Sequence, residues 1–221
     1  MPAESKQTIF LVDDHPLVRE WLTNLIHQQP DLMVCGEAES APQALQAILA
    51  TRPNVATVDL SLKDSSGIEL IKDIRQSCPS VAVLVLSMHE ETHYAERALR
   101  AGASGYLMKR ETTKKVIHAI REVLAGKVSL SENVTAAITT RFVKGHTMEG
   151  ASPIGSLSDR ELEVFELLGR GQGTRQISET LRISLKTVQA YCARIKEKMN
   201  LGSATELLRE AVRWHDRNHQ S

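Results

Sequence analysis

Short apolar runs alternate with amphipathic stretches through the first half of the chain. The runs are TIFLV (8–12), MVCGEA (33–38), VATV (55–58), VAVLVL (81–86) and GYLM (105–108). Short apolar runs with β-branched members predict strands buried on both faces. The stretches between them carry helical spacing. Pro16 suits a first helical position and opens a helix with Leu17, Trp21 and Leu25 on one side. Ala44, Leu45, Ile48 and Leu49 share a face in 41–50. Ser65-Ser66-Gly67 turns the chain into a third helix with Ile68, Ile71 and Ile74. Residues 89–100 predict a fourth that stops at Gly102, and 112–124 a fifth that ends at Gly126, both helix-ending glycines. Strand and helix alternating five times predict an α/β fold, a doubly wound five-stranded parallel sheet.

The pattern then changes. Residues 127–141 have weak helical periodicity, and 144–156 (KGHTMEGASPIGS) have the Gly, Ser and Pro content of a flexible linker. From Leu157 onward no strand pattern recurs. Ser158 and Glu161 have the spacing of a capping box, opening a helix with Leu162, Phe165 and Leu168. A short helix at 174–181, a tight turn at Arg182-Ile183-Ser184 and a longer helix at 185–199 read as a helix-turn-helix, with an ordinary helical hairpin as the alternative. Residues 204–214 close this small all-α domain. The expected division is 1–126, a linker at 127–155, and 156–221.

The strand ends carry the candidate chemistry. Asp13-Asp14 follows the first run, Asp59 the third, Ser87 the fourth and Lys109 the fifth. One such aspartate alone reads as a turn or cap. In a parallel sheet, however, all strand C-termini share one edge, where open α/β sheets bind ligands. Clustered carboxylates do not all ionise cheaply without a cation, and oxygen ligands suit Mg²⁺. A carboxylate can also accept a phosphoryl group. Lys109 can neutralise charge on such a group and Ser87 can hydrogen-bond it.

On the longer basic helix, Val188, Cys192, Ile195 and Met199 step by three or four and form the expected buried face, bordered by Tyr191. The opposite face shows Lys186, Gln189, Ala190, Ala193, Arg194 and Glu197, with small residues that allow close approach to a groove. Gln189, Ala190 and Ala193 are expected at base edges, since Gln pairs with adenine and Ala touches a thymine methyl. Lys186, Thr187, Arg194 and Lys198 are expected at phosphates.

The net charge of zero hides an asymmetry: −3 over 1–126, +1 over 127–155 and +2 over 156–221. An acidic front half fits a cation site, and five basic residues against one acidic in 182–198 permit nucleic-acid contact. Cys35, Cys78 and Cys192 lack metal spacing and read as reduced cytosolic thiols. MPAESKQ has no signal-peptide pattern, and no apolar run approaches the roughly 20 residues of a membrane helix, so a cytoplasmic chain with no membrane partner is expected.

With these residues in place the chain resembles a two-component response regulator of the NarL/FixJ class over nearly its whole length. Asp13-Asp14, Asp59, Gly67, Ser87, Tyr106 and Lys109 fall where receiver domains carry their site residues. LSMHEE, ALRAGASGYLMK and the stretches LSDRELEVFELL and SLKTVQAYCARIKEKMNL are similar to the same family, the last two to LuxR-type helix-turn-helix domains. The resemblance implies a flavodoxin-like receiver in which Asp59 accepts phosphoryl from a phosphohistidine on a sensor histidine kinase. It implies Mg²⁺ on Asp14, Asp59 and the backbone carbonyl of Ser61, with Asp13 acting through water. Ser87 and Lys109 would bind the phosphoryl oxygens, and Tyr106 would turn inward as a switch when Ser87 is drawn toward the phosphate, with a half-buried strand aromatic as the alternative reading of that residue. Double-stranded DNA is the implied partner of the tail, bound by a homodimer when phosphorylated. Lys63 stands where the family usually has Pro, four residues after the acceptor, so that loop lacks a fixed φ and gains a cation.

Two other readings compete. An aspartyl phosphatase or dehalogenase would place a second Asp two residues after the nucleophile, where this chain has Ser61. A regulator switched by a protein partner would not need the full acid and lysine set. The expectation is a phosphorylation-controlled transcription factor and not an enzyme in its own right. A flexible linker implies control either by the receiver covering the recognition helix or by phosphorylation-dependent dimerisation. In either case 152–221 is expected to bind DNA without phosphate.

Overall fold

The computed structural model describes residues 6–62, 65–89, 91–143 and 153–219. Two compact units divide the chain, Met1–Lys144 and Gly145–Ser221.

In the first unit the five apolar runs become strands β1 (Gln7–Val12), β2 (Leu32–Ala38), β3 (Val55–Val58), β4 (Ala82–Ser87) and β5 (Gly105–Met108). All pair in parallel, in the order β2-β1-β3-β4-β5. That is the flavodoxin-like order, whose switch point lies between β1 and β3. Helices α1 (Pro16–His27), α2 (Ala41–Thr51), α3 (Gly67–Ser77), α4 (Glu91–Ala101) and α5 (Thr113–Leu124) alternate with the strands. Pro16 sits in the first turn of α1, and Arg52 ends α2 in the left-handed region at φ 48°. Alternate strand residues face opposite sides. Ile9, Leu11, Val55, Leu84 and Leu86 pack with Leu22 and Ile26 of α1 and Val116, Ile120 and Val123 of α5. Phe10, Val12, Ala56, Val58, Val83 and Val85 are equally buried on the alternate positions. With both faces covered, the strands read as continuous apolar runs.

Three local features differ from the sequence expectation. Between β3 and α3, Ser61–Leu62 and Ser65–Ser66 form a two-residue antiparallel hairpin. His89 precedes α4 and is not helical. Where a linker is expected from 127, the chain instead continues in the first unit. Ser129 bridges to Gly105, and α6 (Glu132–Val143) packs against α4. Lys63 and linker residues 144–152 lie outside the described residues.

The second unit is helical: α7 (Asp159–Gly169), α8 (Thr174–Thr180), α9 (Leu185–Lys198) and α10 (Ala204–His219). The capping box forms, with the Ser158 amide donating to Glu161 Oε2 at 2.7 Å and the Glu161 amide to Ser158 Oγ at 3.4 Å. Arg182, at φ 53°, makes the tight turn between α8 and α9. Phe165 and Trp214 meet at 5.8 Å between ring centroids, joining α7 to α10. A Cβ on Gly169 would lie 2.6 Å from the Ala211 carbonyl oxygen, so only glycine allows this helix crossing.

Candidate functional site

Strand register builds the site. Val12 pairs with Val58, so the next residues, Asp13 and Asp59, leave the sheet side by side. The Asp59 amide still donates to the Val12 carbonyl at 2.9 Å, and the Asp13 amide to the Ala38 carbonyl at 3.1 Å. Ser87 pairs with Met108, and the Lys109 amide donates to the Ser87 carbonyl at 2.8 Å. A Cβ on Gly67 would lie 2.2 Å from the Asp59 carbonyl oxygen, so glycine is required for α3 to start against this strand end. Four sequence-predicted groups therefore share one rim at the switch point.

Among the described residues, one ammonium serves two buried acids at this rim. Lys109 Nζ lies 2.6 Å from Asp13 Oδ2 and 2.7 Å from Asp59 Oδ2. Asp13 and Asp59 are 2% and 3% exposed, so these are buried ion pairs. Asp59 Oδ1 is buried and, among the described residues, has no hydrogen-bond partner. Asp13 Oδ1 accepts from the His15 amide at 3.0 Å, and His15 Nδ1 stands 2.7 Å from Asp14 Oδ1. One ligand atom each from Asp13, Asp14, His15 and Asp59 can be chosen so that all lie within 4.8 Å of one another. Burial pushes the Asp59 carboxyl above the usual range. Lys109 draws it back and Asp13 adds to the push, leaving it raised. For Lys109, burial favours the neutral amine, but Asp59 and Asp13 outweigh it and hold the ammonium above its usual value.

Beside the acids lies a hydroxyl and aromatic cluster centred on His89, which sequence reasoning missed. The His89 amide donates to the fully buried Ser87 Oγ at 3.2 Å. Its Nε2 lies 2.7 Å from Ser61 Oγ, and its ring stacks on Tyr94 at 4.5 Å. Tyr106 is fully buried and its hydroxyl donates to the His89 carbonyl at 2.9 Å. Tyr106 thus points inward here. Arg19 was also missed; its Nη1 donates to the Asp13 backbone carbonyl at 2.6 Å and pins the loop that presents Asp13 and Asp14. The only sequence signal for either was position: a His two residues past a strand-end Ser, and a cation on the first turns of α1.

In the tail, Ser184 caps α9, accepting from the Thr187 amide at 3.0 Å. Val188 and Ile195 are buried, while Lys186, Gln189, Ala190, Ala193 and Arg194 are exposed and Thr187 is half-buried. Arg194 stands 6.0 Å from the Tyr191 ring centroid, a cation–π distance. Lys198 behaves differently. Its Nζ lies 2.7 Å from Glu161 Oε2 and donates to the Ser156 carbonyl at 3.2 Å. Glu161 is 3% exposed, so Lys198 neutralises a buried acid of the tail's own scaffold. Its side chain is 38% exposed, so this pairing is made at the surface end of α9.

No helix among the described residues is long and apolar enough to cross a membrane.

Comparison with known proteins covers both units. Residues 9–121 match the family described as response regulator receiver domain, and residues 155–211 that described as bacterial regulatory proteins, luxR family. Oxygen regulatory protein NreC of Staphylococcus carnosus is 32% identical over 209 residues, 93% of this chain and 96% of that one. The DNA-binding transcriptional activator DevR/DosR of Mycobacterium tuberculosis is 35% identical over 198 residues, 90% of each chain. In fold, the chain is similar to RcsB of Salmonella enterica bound to promoter DNA with a phosphomimetic (TM-score 0.59, 24% identity, 94% of this chain and 99% of that one).

Proposed function

The chain belongs to the two-component response regulators that join a receiver domain to a LuxR-type DNA-binding domain, and on that premise we propose that Asp59 is its phosphoryl acceptor. The supporting observation is Asp59 Oδ1: buried, without a hydrogen-bond partner among the described residues, and flanked by a second buried acid and a single ammonium. Such an oxygen is poorly satisfied until a cation or an electrophile arrives. As a family member the protein is a transcription regulator, and its chemistry is limited to its own phosphorylation.

The donor is a phosphohistidine of a sensor histidine kinase. An Asp59 oxygen bonds to phosphorus as the P–N bond breaks, and the electron pair leaves with the imidazole nitrogen. Lys109, already 2.7 Å from Asp59 Oδ2, shifts its donors to the phosphoryl oxygens, and the Ser87 hydroxyl donates to one of them. Ser87 Oγ now accepts from the His89 amide, whose residue also holds Tyr106 through its carbonyl. Drawing Ser87 toward the phosphoryl group therefore pulls on the partner of Tyr106.

The donor set fits Mg²⁺: hard carboxylate oxygens within 4.8 Å, one of them orphaned. Asp14, Asp59 and the Ser61 carbonyl would hold the ion, with Asp13 acting through water. When bound, it neutralises charge on the phosphoryl oxygens. The tail reads DNA with Gln189, Ala190 and Ala193 at base edges and Lys186, Thr187 and Arg194 at phosphates. Phosphorylation in the cytoplasm brings two copies together on a two-fold DNA site.

Acetyl phosphate with Mg²⁺ tests the assignment, read by intact mass. A gain of one phosphoryl per chain supports it. Sustained phosphate release by each chain would instead mean an enzyme, and no gain a regulator switched by a protein partner.

A further inference from the structure

The loop that leaves β1 carries three metal-binding side chains in a row, Asp13, Asp14 and His15. His15 has no part in the phosphoryl chemistry above. Its backbone is pinned on both sides. The amide donates to Asp13 Oδ1 at 3.0 Å. The carbonyl accepts from the Val18 and Arg19 amides at 3.1 and 3.3 Å, which starts α1. Pro16 follows at once, in the first turn of that helix. The ring is therefore tethered to the rim, while the side chain stays half-exposed. Its Nδ1 lies 2.7 Å from Asp14 Oδ1 and 3.3 Å from Asp13 Oδ1. With Asp13, Asp14 and Asp59 it makes a set of four donors within 4.8 Å of one another. Opposite ligands on a six-coordinate ion stand about 4.2 Å apart, so small side-chain shifts close the set on one ion. At the same rim Asp59 Oδ1 is buried with no hydrogen-bond partner among the described residues.

The set is not purely oxygen. Mg²⁺ takes hard oxygen ligands, and an imidazole adds little to its binding. Co²⁺, Ni²⁺ and Zn²⁺ accept imidazole nitrogen readily. We propose that His15 is a further ligand of the receiver's cation site, binding through Nδ1 beside Asp14 and Asp59, and that it makes the site select an imidazole-accepting divalent ion over Mg²⁺. Binding takes the neutral ring with its proton on Nε2, which leaves the Nδ1 lone pair for the ion. The direct contact between Nδ1 and Asp14 Oδ1 is then replaced by one in which ring and carboxylate meet through the metal. The inference goes beyond the phosphoacceptor assignment but rests on the same rim being a cation site.

Full-length protein is compared with His15→Ser, which removes the imidazole and leaves a residue that caps α1 well. Mg²⁺ and Co²⁺ are titrated into each by calorimetry, at one pH and one salt concentration. Only the Co²⁺ that excess Mg²⁺ displaces is counted. This sets aside imidazole clips elsewhere, such as His118 and Glu122 on α5, whose donor atoms stand 3.5 Å apart. His15→Ser should lose about tenfold or more in Co²⁺ affinity and change its Mg²⁺ affinity by less than about threefold. The Co²⁺-loaded wild type should also show a paramagnetically shifted, solvent-exchangeable imidazole N–H signal in its proton NMR spectrum, which excess Mg²⁺ abolishes. That second readout does not depend on the variant folding. Equal losses for the two ions would make His15 a residue that only orients Asp14, and would overturn the ligand role. So would unchanged Co²⁺ affinity in a folded His15→Ser, or no shifted N–H signal from the wild type. A wild type that binds neither ion would remove the cation site itself, and the inference with it. Failure of the wild type to gain a phosphoryl, read by intact mass, would strike the phosphoacceptor reading instead and leave the titrations to decide the role of His15.

Discussion

In the tail, Glu161, Glu163 and Glu166 are each at most 3% exposed, and each has a cation of its own. Lys198 stands 2.7 Å from Glu161, Arg160 2.6 Å from Glu163 and Arg170 2.6 Å from Glu166. In the receiver, Asp13 and Asp59 are buried as deeply, yet among the described residues they share the one ammonium of Lys109. The direction of titration differs accordingly. Burial raises the Glu161 carboxyl, but Lys198 and the Ser158 capping contacts bring it below its usual value. Burial with Asp13 nearby leaves Asp59 above its usual value despite Lys109. Buried charge alone does not mark a site, because paired acids are scaffold. The informative feature is a deficit that an incoming cation can correct.

The sharpest way to break this contrast is at Asp59. Asp59→Asn should abolish labelling by acetyl phosphate, read by intact mass, and should raise rather than lower the melting temperature, because it removes a buried negative charge from an unbalanced cluster. Stoichiometric labelling of Asp59→Asn would show that the acceptor lies elsewhere. The converse change in the tail is Lys198→Ala, which strands Glu161. Since the Lys198 side chain is 38% exposed, the loss should be about 2–3 kcal/mol, somewhat below the cost of breaking a fully buried pair. Urea unfolding of the full chain, followed by circular dichroism of the helical transition, measures it. If Lys198→Ala leaves stability untouched and only flattens the salt dependence of DNA binding, Lys198 is a phosphate contact and the pairing is incidental.

A smaller effect is expected where the tail meets bases. Gln189→Ala should cost about 1–3 kcal/mol of affinity and relax preference at one base pair, assayed against DNA selected from random sequence. Uniform weakening across all sequences would turn Gln189 into a backbone contact. The smallest effects are those of pH. A folded carboxyl held above its unfolded value binds its proton more tightly than the unfolded chain does. Stability from Asp59 therefore falls as pH rises from the unfolded value through the raised one. For Glu161, held low, stability is present above the unfolded value and is lost as pH falls through the lowered one. The tail's unfolding midpoint should thus drop in acid, while Asp59→Asn removes a destabilising trend of opposite sign. Equal slopes with pH for wild type and Asp59→Asn would contradict this.

Much of the receiver site was legible because strand ends are local features. Asp13, Asp59, Ser87 and Lys109 each follow an apolar run, and parallel pairing brings such ends together without further information. His89 was not legible, since it sits in a loop where its backbone meets Ser87 and Tyr106 and its ring meets Ser61 and Tyr94, contacts that no sequence periodicity reports. Residues 127–143 looked like linker because, among the described side chains, Val134 is the one buried hydrophobic residue, which leaves little periodicity to read. On α9, helical spacing placed Val188 and Ile195 inside and Gln189 and Ala193 outside. The same spacing cannot show that Lys198 meets an acid 37 residues earlier in the chain.

The central claim is that phosphorylation of Asp59 controls the tail. Its most direct test is the affinity of the full chain for its selected DNA site, measured at one salt concentration, with and without acetyl phosphate and Mg²⁺, for wild type and Asp59→Asn. The account predicts a gain of about tenfold or more for wild type on phosphorylation, within the usual range of a coupling free energy, and no response from Asp59→Asn. Equal wild-type affinity in the two states, at full phosphoryl occupancy of Asp59, would contradict it.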